Sequence, residues 1–295
     1  MANKTTSANL FNPELVTEIF NKVKGHSALA NLSGQSPIPF VGNDTFVFSM
    51  DGEASIVGES GEKPAGDAAF TKKTIKPIKF VYQHRLTDEF VNMSEEEKIP
   101  YLEQFSNGMA AKLARALDIA ALHGVNPATN EASAIVGDNC FDKAVTNTVT
   151  LTSGKEDEAL DDAVAQVQAN DGDITGMAMS PAFASAMGKI KASGTGTYLY
   201  PEFRFGARPT SFAGTTNDIN STVSYKDCKD NAIVGDYAKA FKWGYSANMP
   251  IEVIQYGDPD GLGDLKRTNE VVIRTEAYLG WGILDADSFS RVVEA

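Results

Sequence analysis

The chain has 295 residues, of which 42% are hydrophobic and 22% are charged, and its formal net charge is −13. This composition is typical of one large or two ordinary globular domains, and it excludes a largely disordered chain or a fibrous repeat. Strong nucleic-acid binding is disfavoured, because that affinity comes from a basic face that neutralises phosphates.

The N-terminal segment lacks the apolar stretch of a signal peptide, and no run reaches the roughly 20 apolar residues that span a bilayer. We therefore expect a protein that stays in the cytosol where it is made and has no membrane partner. Cys140 and Cys228 stand far apart and outside any CxxC pattern, which favours buried free thiols over a zinc site or a disulfide framework.

Residues 1–40 are predicted to form an extended arm with no obvious core of its own. The short helical pattern PELVTEIFNKV is followed by ALANLSGQSPIPF, in which Pro37 and Pro39 forbid a helix.

The pattern then changes to two strands separated by a long polar tongue. Thr45–Met50 alternates with period two, and Thr74–Leu86 is rich in β-branched and aromatic residues. Together they predict a two-stranded flap, with Pro77 at an edge position that needs no donor. Because a lone ribbon is marginal in water, the flap must lie on its own domain or be covered by another chain.

A long helix is predicted from about Pro100 to His123. Ser94 and Glu97 form a capping box before it, and Gly124 and Pro127 stop it. An apolar stripe with spacings of three and four runs along this helix and consists of Leu102, Phe105, Met109, Leu113, Leu117 and Ala120.

Shorter helices and many strands follow. One helix lies between Ser153 and about Gly172, and a second begins at Ser180-Pro181 and continues to about Lys191, with the strand TGMAM between them. The later strands are ARPTSF, NAIVGDY, AFKWGY, MPIEVIQY and EVVIRTEAYLGWGIL. Helices combined with a mixed sheet indicate an α+β protein.

No catalytic motif is present in the sequence. It contains no GxSxG, P-loop, GxGxxG or HExxH pattern. The loop DPDGLGD has Asn269 where a calcium loop needs a bidentate glutamate. A helix C-terminus favours a cation, which accounts for His123 without catalysis. We therefore predict that the chain is not an enzyme and has no cofactor or metal site.

The order of these parts resembles the major capsid proteins of tailed bacteriophages, which have the Hong Kong ninety-seven type fold. The run VGESGEKPAGDAAFTKKTIKPIKFVYQHRLTDEFV resembles the flap of that family, and LARALDIAALHGVNP resembles the end of its spine helix. MSPAFASAMGKIKASGTGTYLY and the succession GARP and IVGDYAKAF resemble its axial domain. The resemblance covers about residues 40–295, and the arm matches in character only.

The resemblance implies a division of the chain into six parts. They are an N-terminal arm (1–40), an extended flap or E-loop (41–87), the spine helix with the first part of the peripheral domain (88–150), the axial domain (151–240), the long peripheral strands with a three-fold loop (241–284), and a C-terminal strand returning to the axial domain (285–295).

The resemblance also implies three sets of contacts between copies of the chain. The flap set is Glu59, Glu62, Lys63, Lys72, Lys73 and Arg85. The axial-loop set is Ser193, Gly194, Gly196 and Tyr198. The three-fold-loop set is Asp258, Asp260, Asp264 and Lys266. The alternative is ordinary surface loops and a solvated scatter of charges, worth about 0–1 kcal/mol per ion pair.

The function implied is that of a major capsid protein, which assembles into the hexamers and pentamers of an icosahedral head around double-stranded DNA. The head forms in the cytoplasm of a bacterial host and becomes the virion shell. A portal protein, a separate scaffolding protein and a decoration protein are the expected partners, and packaged DNA is contacted only non-specifically. Two alternatives stay open, which are an encapsulin-type compartment, whose flap is shorter, and an uncharacterised cytosolic enzyme.

Overall fold

The computed structural model describes residues 26–39, 41–51, 55–63, 65, 67–89, 95–246 and 251–294. Within them the chain forms a two-stranded ribbon, a four-stranded sheet and a six-stranded sheet, with helices packed against the larger sheets. The predicted helical pattern PELVTEIFNKV and the predicted capping residue Ser94 lie outside the described residues.

The two-stranded ribbon, which we call the flap hairpin, consists of β1 (Asn43–Asp51) and β2 (Asp67–Ile75). The strands are antiparallel and in register from Asn43 opposite Ile75 to Asp51 opposite Asp67. The predicted pairing of β1 with the whole of Thr74–Leu86 is therefore wrong.

The predicted second strand is divided at Lys76 and Pro77. Residues before this point end the flap hairpin, whereas residues after it form β3 (Ile78–Thr87), which pairs with a strand near the C-terminus. Proline has no N–H to donate to a ladder, so the chain leaves one sheet and enters another at this position.

The four-stranded sheet is organised by one long strand, β11 (Glu270–Ile283). On one side it pairs with β3 over ten residues, from Glu270 opposite Thr87 to Leu279 opposite Ile78. Its other side is shared by β9 (Phe241–Tyr245) and β10 (Ile251–Ile254), each pairing with a different half of β11. The short helix α6 (Leu265–Thr268) immediately precedes β11.

The six-stranded sheet has the order β4-β12-β8-β5-β7-β6. Its strands are β4 (Thr148–Leu151), β5 (Gly176–Met179), β6 (Ser211–Phe212), β7 (Thr215–Ile219), β8 (Asp230–Gly235) and β12 (Phe289–Glu294). The last strand of the chain thus lies in the interior of this sheet, between β4 and β8.

The helices agree in place with the predicted apolar stripes and differ in length. The long helix α2 (Glu95–His123) begins five residues before the predicted start. It is followed by α3 (Phe141–Ala144), α4 (Glu156–Ala169), α5 (Pro181–Met187) and a 3-10 helix (Pro201–Gly206). Helix α5 ends four residues before the predicted Lys191, and Ser180 caps it by accepting a hydrogen bond from the Phe183 N–H at 3.1 Å.

The six-stranded sheet separates two hydrophobic cores. On one face, Ala232 and Val234 pack with the apolar side of α4 and α5. On the other face, Ile233 and Phe289 pack with α2 and with β9 and β11. Alternation along β8 places successive side chains on opposite faces, which is why both cores share one strand.

The described part of the predicted arm, residues 26–39, packs into a core built by the rest of the chain. Helix α1 (Ala28–Leu32) is buried, and the extended residues after it run beside β9, where the Ser36 N–H donates to the Trp243 carbonyl at 3.0 Å. The expectation that the stretch ALANLSGQSPIPF contains no helix is wrong for its first five residues, which form α1. Pro37 and Pro39 lie beyond α1 and restrict only the backbone near them, which is not helical. Close approach requires Gly244, since a Cβ there would lie 1.6 Å from the Ser36 oxygen.

Candidate interaction surfaces

The tip of the flap hairpin presents three of the predicted contact residues to solvent. Glu59, Glu62 and Lys63 are exposed, as is every described residue from 55 to 63. A turn in which the Gly61 N–H donates to the Gly58 carbonyl at 2.9 Å gives this segment a defined shape. Ile56 is fully exposed at the same place, so the tip offers an apolar side chain together with both signs of charge.

The two lysines on the return strand of the flap hairpin are partly used within the chain. Lys72 pairs with Asp44 on the facing strand at 2.8 Å, and the hydrogen bond from this lysine lowers the pKa of the Asp44 carboxyl. The Lys73 ammonium donates to the carbonyl of Ile283 at 2.8 Å. Lys73 therefore ties the base of the hairpin to β11.

Arg85 lies outside the flap hairpin, on β3. Its guanidinium donates to both oxygens of Asp260, at 2.8 and 2.5 Å, and to Glu270 at 2.8 Å. The hydrogen bond from Arg85 lowers the pKa of Asp260 to about 2. A guanidinium held by two carboxylates of its own chain fixes the loop before α6 to the four-stranded sheet. Its contact with another copy stays a prediction.

The predicted three-fold loop is organised by its own polar side chains. Asp260 binds Arg85, and Asp258 lies 3.6 Å from the same guanidinium. Asp264 caps α6 by accepting from the backbone N–H groups of Lys266 and Arg267. The Lys266 ammonium lies 3.4 Å from Asp88. These in-chain bonds preset the loop, and contacts with other copies stay predictions.

The predicted axial loop is a closed turn after α5. Lys191 and Tyr198 form a β-bridge, and the Ala192 N–H donates to the Thr197 carbonyl at 2.8 Å. Gly194 and Gly196 both have positive φ, at 87° and 67°, a backbone region that glycine enters without strain. Ser193, Gly194 and Gly196 are exposed and Tyr198 is half-buried.

Sequence reasoning missed two residues next to this loop, Arg204 and Phe205. The Arg204 guanidinium lies 3.6 Å from the ring centre of Tyr198 and 4.5 Å from that of Phe205. Phe205 is 94% exposed. The stretch FRFG, in which Arg204 stands between two phenylalanines, could have indicated these residues. It was not specific, because the same pattern occurs in cores and on surfaces.

A buried network of charged side chains joins the C-terminus of α2 to the six-stranded sheet. Arg291 donates to Asp230 at 2.8 Å and to Asp142 at 2.7 Å, and Asp142 faces His123 Nδ1 at 3.0 Å. His123 Nε2 must donate to the Thr222 carbonyl, 2.9 Å away, because a carbonyl only accepts. Burial raises the pKa of Asp142, but the hydrogen bonds with His123 and Asp230 outweigh this and lower it, so Asp142 is a carboxylate that accepts from Nδ1–H. Both ring nitrogens then carry protons, which makes His123 an imidazolium.

His123, Asp142 and Cys228 are a group among the described residues whose ligand atoms lie within 4.8 Å of one another, as a metal ion would require. The hydrogen bonds of the histidine account for both of its nitrogens without an ion, and the absence of a metal site stays a prediction. In the described part of the chain, no helix is both long and apolar enough to cross a membrane.

Comparison with known proteins gives a consistent answer. A family model described as "Phage capsid family" matches residues 8–293. A solved structure from Mycobacterium phage Ogopogo is 33% identical with a TM-score of 0.77, and the match covers 92% of each chain. One from Gordonia phage Cozz is 28% identical with a TM-score of 0.73, covering 92% of this chain and 87% of that one.

A more distant structure shares the fold. The capsid of a native GTA particle is 13% identical with a TM-score of 0.65, and the match covers 91% of this chain and 90% of that one. A search of curated proteins found no match.

Proposed function

The chain belongs to the phage capsid family and is a major capsid protein, and we propose that its copies join into hexamers and pentamers chiefly through the flap hairpin. The shell they form is an icosahedral head around double-stranded DNA. The role is structural, as the family membership indicates.

The observation that carries this proposal is the unsupported tip of the flap hairpin. Its two strands pair with each other over nine residues, and among the residues that the structure describes they pair with no further strand. A two-stranded ribbon gains its stability from a third strand or a packing surface, which a neighbouring copy supplies. The base of the flap hairpin, by contrast, packs on its own chain. Ile75 is buried against β11, and a Cβ added at Gly282 would lie only 2.9 Å from the Ile75 side chain.

We expect weak contacts between subunits to determine whether the shell assembles, because each contact is repeated in every copy. Exposed ion pairs are worth about 0–1 kcal/mol each, yet a closed shell repeats every contact in all its copies. Glu59, Glu62 and Lys63 have no ion pair among the described residues, so their charges are available to a neighbour.

The test is the triple variant E59Q/E62Q/K63Q, which keeps shape and removes the tip charges. We expect it to prevent shells or to broaden their size distribution, as seen by negative-stain electron microscopy. The matched control is D161N/D162N on the exposed side of α4, which also removes surface charges. Particles indistinguishable from those of the unaltered chain would contradict the proposal for the flap.

Further partners follow from the same proposal. The assembled shell requires a portal protein through which DNA enters, a separate scaffolding protein directs assembly in the bacterial cytoplasm, and a decoration protein binds the finished virion. Co-expression with proteins encoded beside this chain, followed by purification of the shells, tests each of these associations.

A further inference from the structure

Beside the axial loop, the Phe205 side chain is exposed to solvent, and no contact within the same subunit accounts for that exposure. Phe205 has φ 58° and ψ 29°, the left-handed region, and Gly206 follows with φ 77°. A bulky residue rarely adopts that backbone, because its Cβ crowds the following carbonyl oxygen. The result is an aromatic ring that is almost wholly exposed.

The turn that carries Phe205 is held firmly from below. Phe203 is buried, and its ring packs edge-on against Phe212 with 5.0 Å between ring centres. Gly188 lets the turn approach α5, since a Cβ there would lie 2.9 Å from the Phe203 backbone. Phe205 is therefore displayed by a rigid support.

Three neighbours complete what we call the aromatic patch, defined as Tyr198, Leu199, Arg204 and Phe205. The Arg204 guanidinium stacks on both rings, and the Lys191 ammonium lies 5.0 Å from the Tyr198 ring centre. Leu199 is 47% exposed. Neither Lys191 nor Arg204 forms an ion pair with any carboxylate among the described residues. Aromatic residues and arginine are the types enriched at the energetic centres of protein interfaces.

We propose that the aromatic patch is the centre of the contact between axial loops of neighbouring copies of this chain. The inference rests on the proposed function and adds the residues that carry it. A backbone strained to expose an apolar ring beside two unpaired cations is built for a partner with apolar and acidic groups.

Charge complementarity identifies that partner as a second copy. The chain has 39 acidic and 26 basic residues, so carboxylates without an in-chain partner are abundant on every copy. Glu131 and Asp227 are examples, being exposed and without an ion pair in the described part of the chain. In a ring of identical subunits each contact joins two different patches, so cations on one side can meet acids on the other.

Nucleic acid fits the patch less well. Base stacking on an aromatic ring is accompanied in such proteins by a groove of several cations along the backbone. Here two cations stand beside exposed Glu202 on a chain of net charge −13.

The test separates interface from fold by using a substitution that the backbone favours. Glycine and asparagine both tolerate positive φ, so the subunits of F205G and F205N are expected to melt at or above the temperature of the unaltered chain. Their critical concentration for assembly should rise roughly tenfold or more, the loss typical of an interface centre. The variant R204K keeps the positive charge but lacks the planar guanidinium that stacks on the rings, so it should raise the critical concentration too.

The control is E202Q, an exposed change in the same turn that leaves the patch intact and should shift the critical concentration less than twofold, a difference of about 0.4 kcal/mol. Assembly of F205G and F205N at the unaltered concentration would overturn the inference. So would loss of binding to a single-stranded oligonucleotide with assembly unchanged, which would assign the patch to nucleic acid. Failure of the unaltered chain to form any particle would instead overturn the proposed function itself.

Discussion

At the scale of single residues, Asp118 shows how one buried carboxylate fixes the N-terminal segment to α2. It accepts from the hydroxyls of Ser27 and Thr222 at 2.5 and 2.7 Å. It also accepts from the N–H groups of Ala28 and Leu29 at 2.9 and 3.3 Å, and so caps α1 from another helix. Burial raises its pKa to about 6, although these hydrogen bonds act in the opposite direction.

Replacing this residue in D118N is expected to destabilise the fold by about 2 kcal/mol, because an amide accepts at one oxygen only and leaves buried donors unpaired. Urea unfolding of the dissociated subunit measures the change. The control D162N alters an exposed residue of α4 and should stay within about 0.5 kcal/mol of the unaltered chain. Equal midpoints for the two variants would show that the cap is unimportant.

His123 makes the stability of the subunit depend on pH. Burial alone lowers its pKa, but the hydrogen bonds with Asp142 and Cys228 outweigh this and raise the pKa to about 10. The unfolded chain releases this proton near pH 6.5, its ordinary pKa. Between these values the folded state holds a proton that the unfolded state has lost, so stability is fully present below pH 6.5 and declines as pH rises toward 10.

We therefore expect the urea midpoint of the unaltered subunit to fall from pH 6.5 to 9.5, and that of H123Q to fall less. Comparing the two slopes removes the contribution of lysines and tyrosines common to both. The groups that face the imidazole are Asp142, Cys228, the Thr222 carbonyl and the Tyr225 ring. Parallel pH curves for the two proteins would refute the imidazolium.

At the scale of elements, close backbone contact at Gly244 determines where the N-terminal segment lies. G244A would push the segment off β9 and cost about 3 kcal/mol, the upper range for overpacking. G108A on the exposed side of α2 meets no atom and should instead stabilise by about 0.5–1 kcal/mol, since alanine favours helix. Opposite shifts of the melting temperature are expected. A G244A protein that melts at the temperature of the unaltered chain would show that close contact at Gly244 is not required.

The elements that the sequence predicted are those with a local signal. The apolar stripe of α2 is confirmed from Met109 onward, with Leu113, Leu117 and Ala120 also buried, whereas the side chain of Leu102 lies outside the described residues. The end of α2 at Gly124, which has φ 67°, is confirmed too. Which strands pair was harder to predict from the sequence, because β3 pairs with β11 and the paired residues lie nearly 200 positions apart. Strand β7 was missed, since TTNDI has only one apolar residue and gains its order from β5 beside it.

The same distinction applies to the candidate contacts. The glycines of the axial loop were predictable from composition and do occupy positive φ. The prediction that Arg85 belongs to the flap was wrong, because the sequence does not show that the chain passes from one sheet to another at Pro77. Its carboxylate partners lie about 175 and 185 positions away, where no periodicity connects them.

At the scale of the whole molecule, the net charge of −13 affects how the shell meets DNA. We expect empty shells to retain no linear double-stranded DNA at about 0.15 M salt, because a wall of like sign repels phosphates within roughly a Debye length of about 8 Å. A co-sedimentation assay measures retention, and a parallel sample at low salt is the control for weak basic spots. Tight binding at the higher salt would contradict this expectation.

The extended segment of residues 34–38, which runs beside β9, also has a consequence for biosynthesis. This segment leaves the ribosome early, yet its partners Trp243 and Tyr245 are made roughly 200 residues later, about 10–40 s at 5–20 residues per second. Until then residues 34–38 lack this partner, although α1 just before them can already contact Asp118 of α2. Synthesis of β9 thus sets the earliest time at which residues 34–38 can be placed, and a truncated chain that ended before β9 would lack their backbone partners.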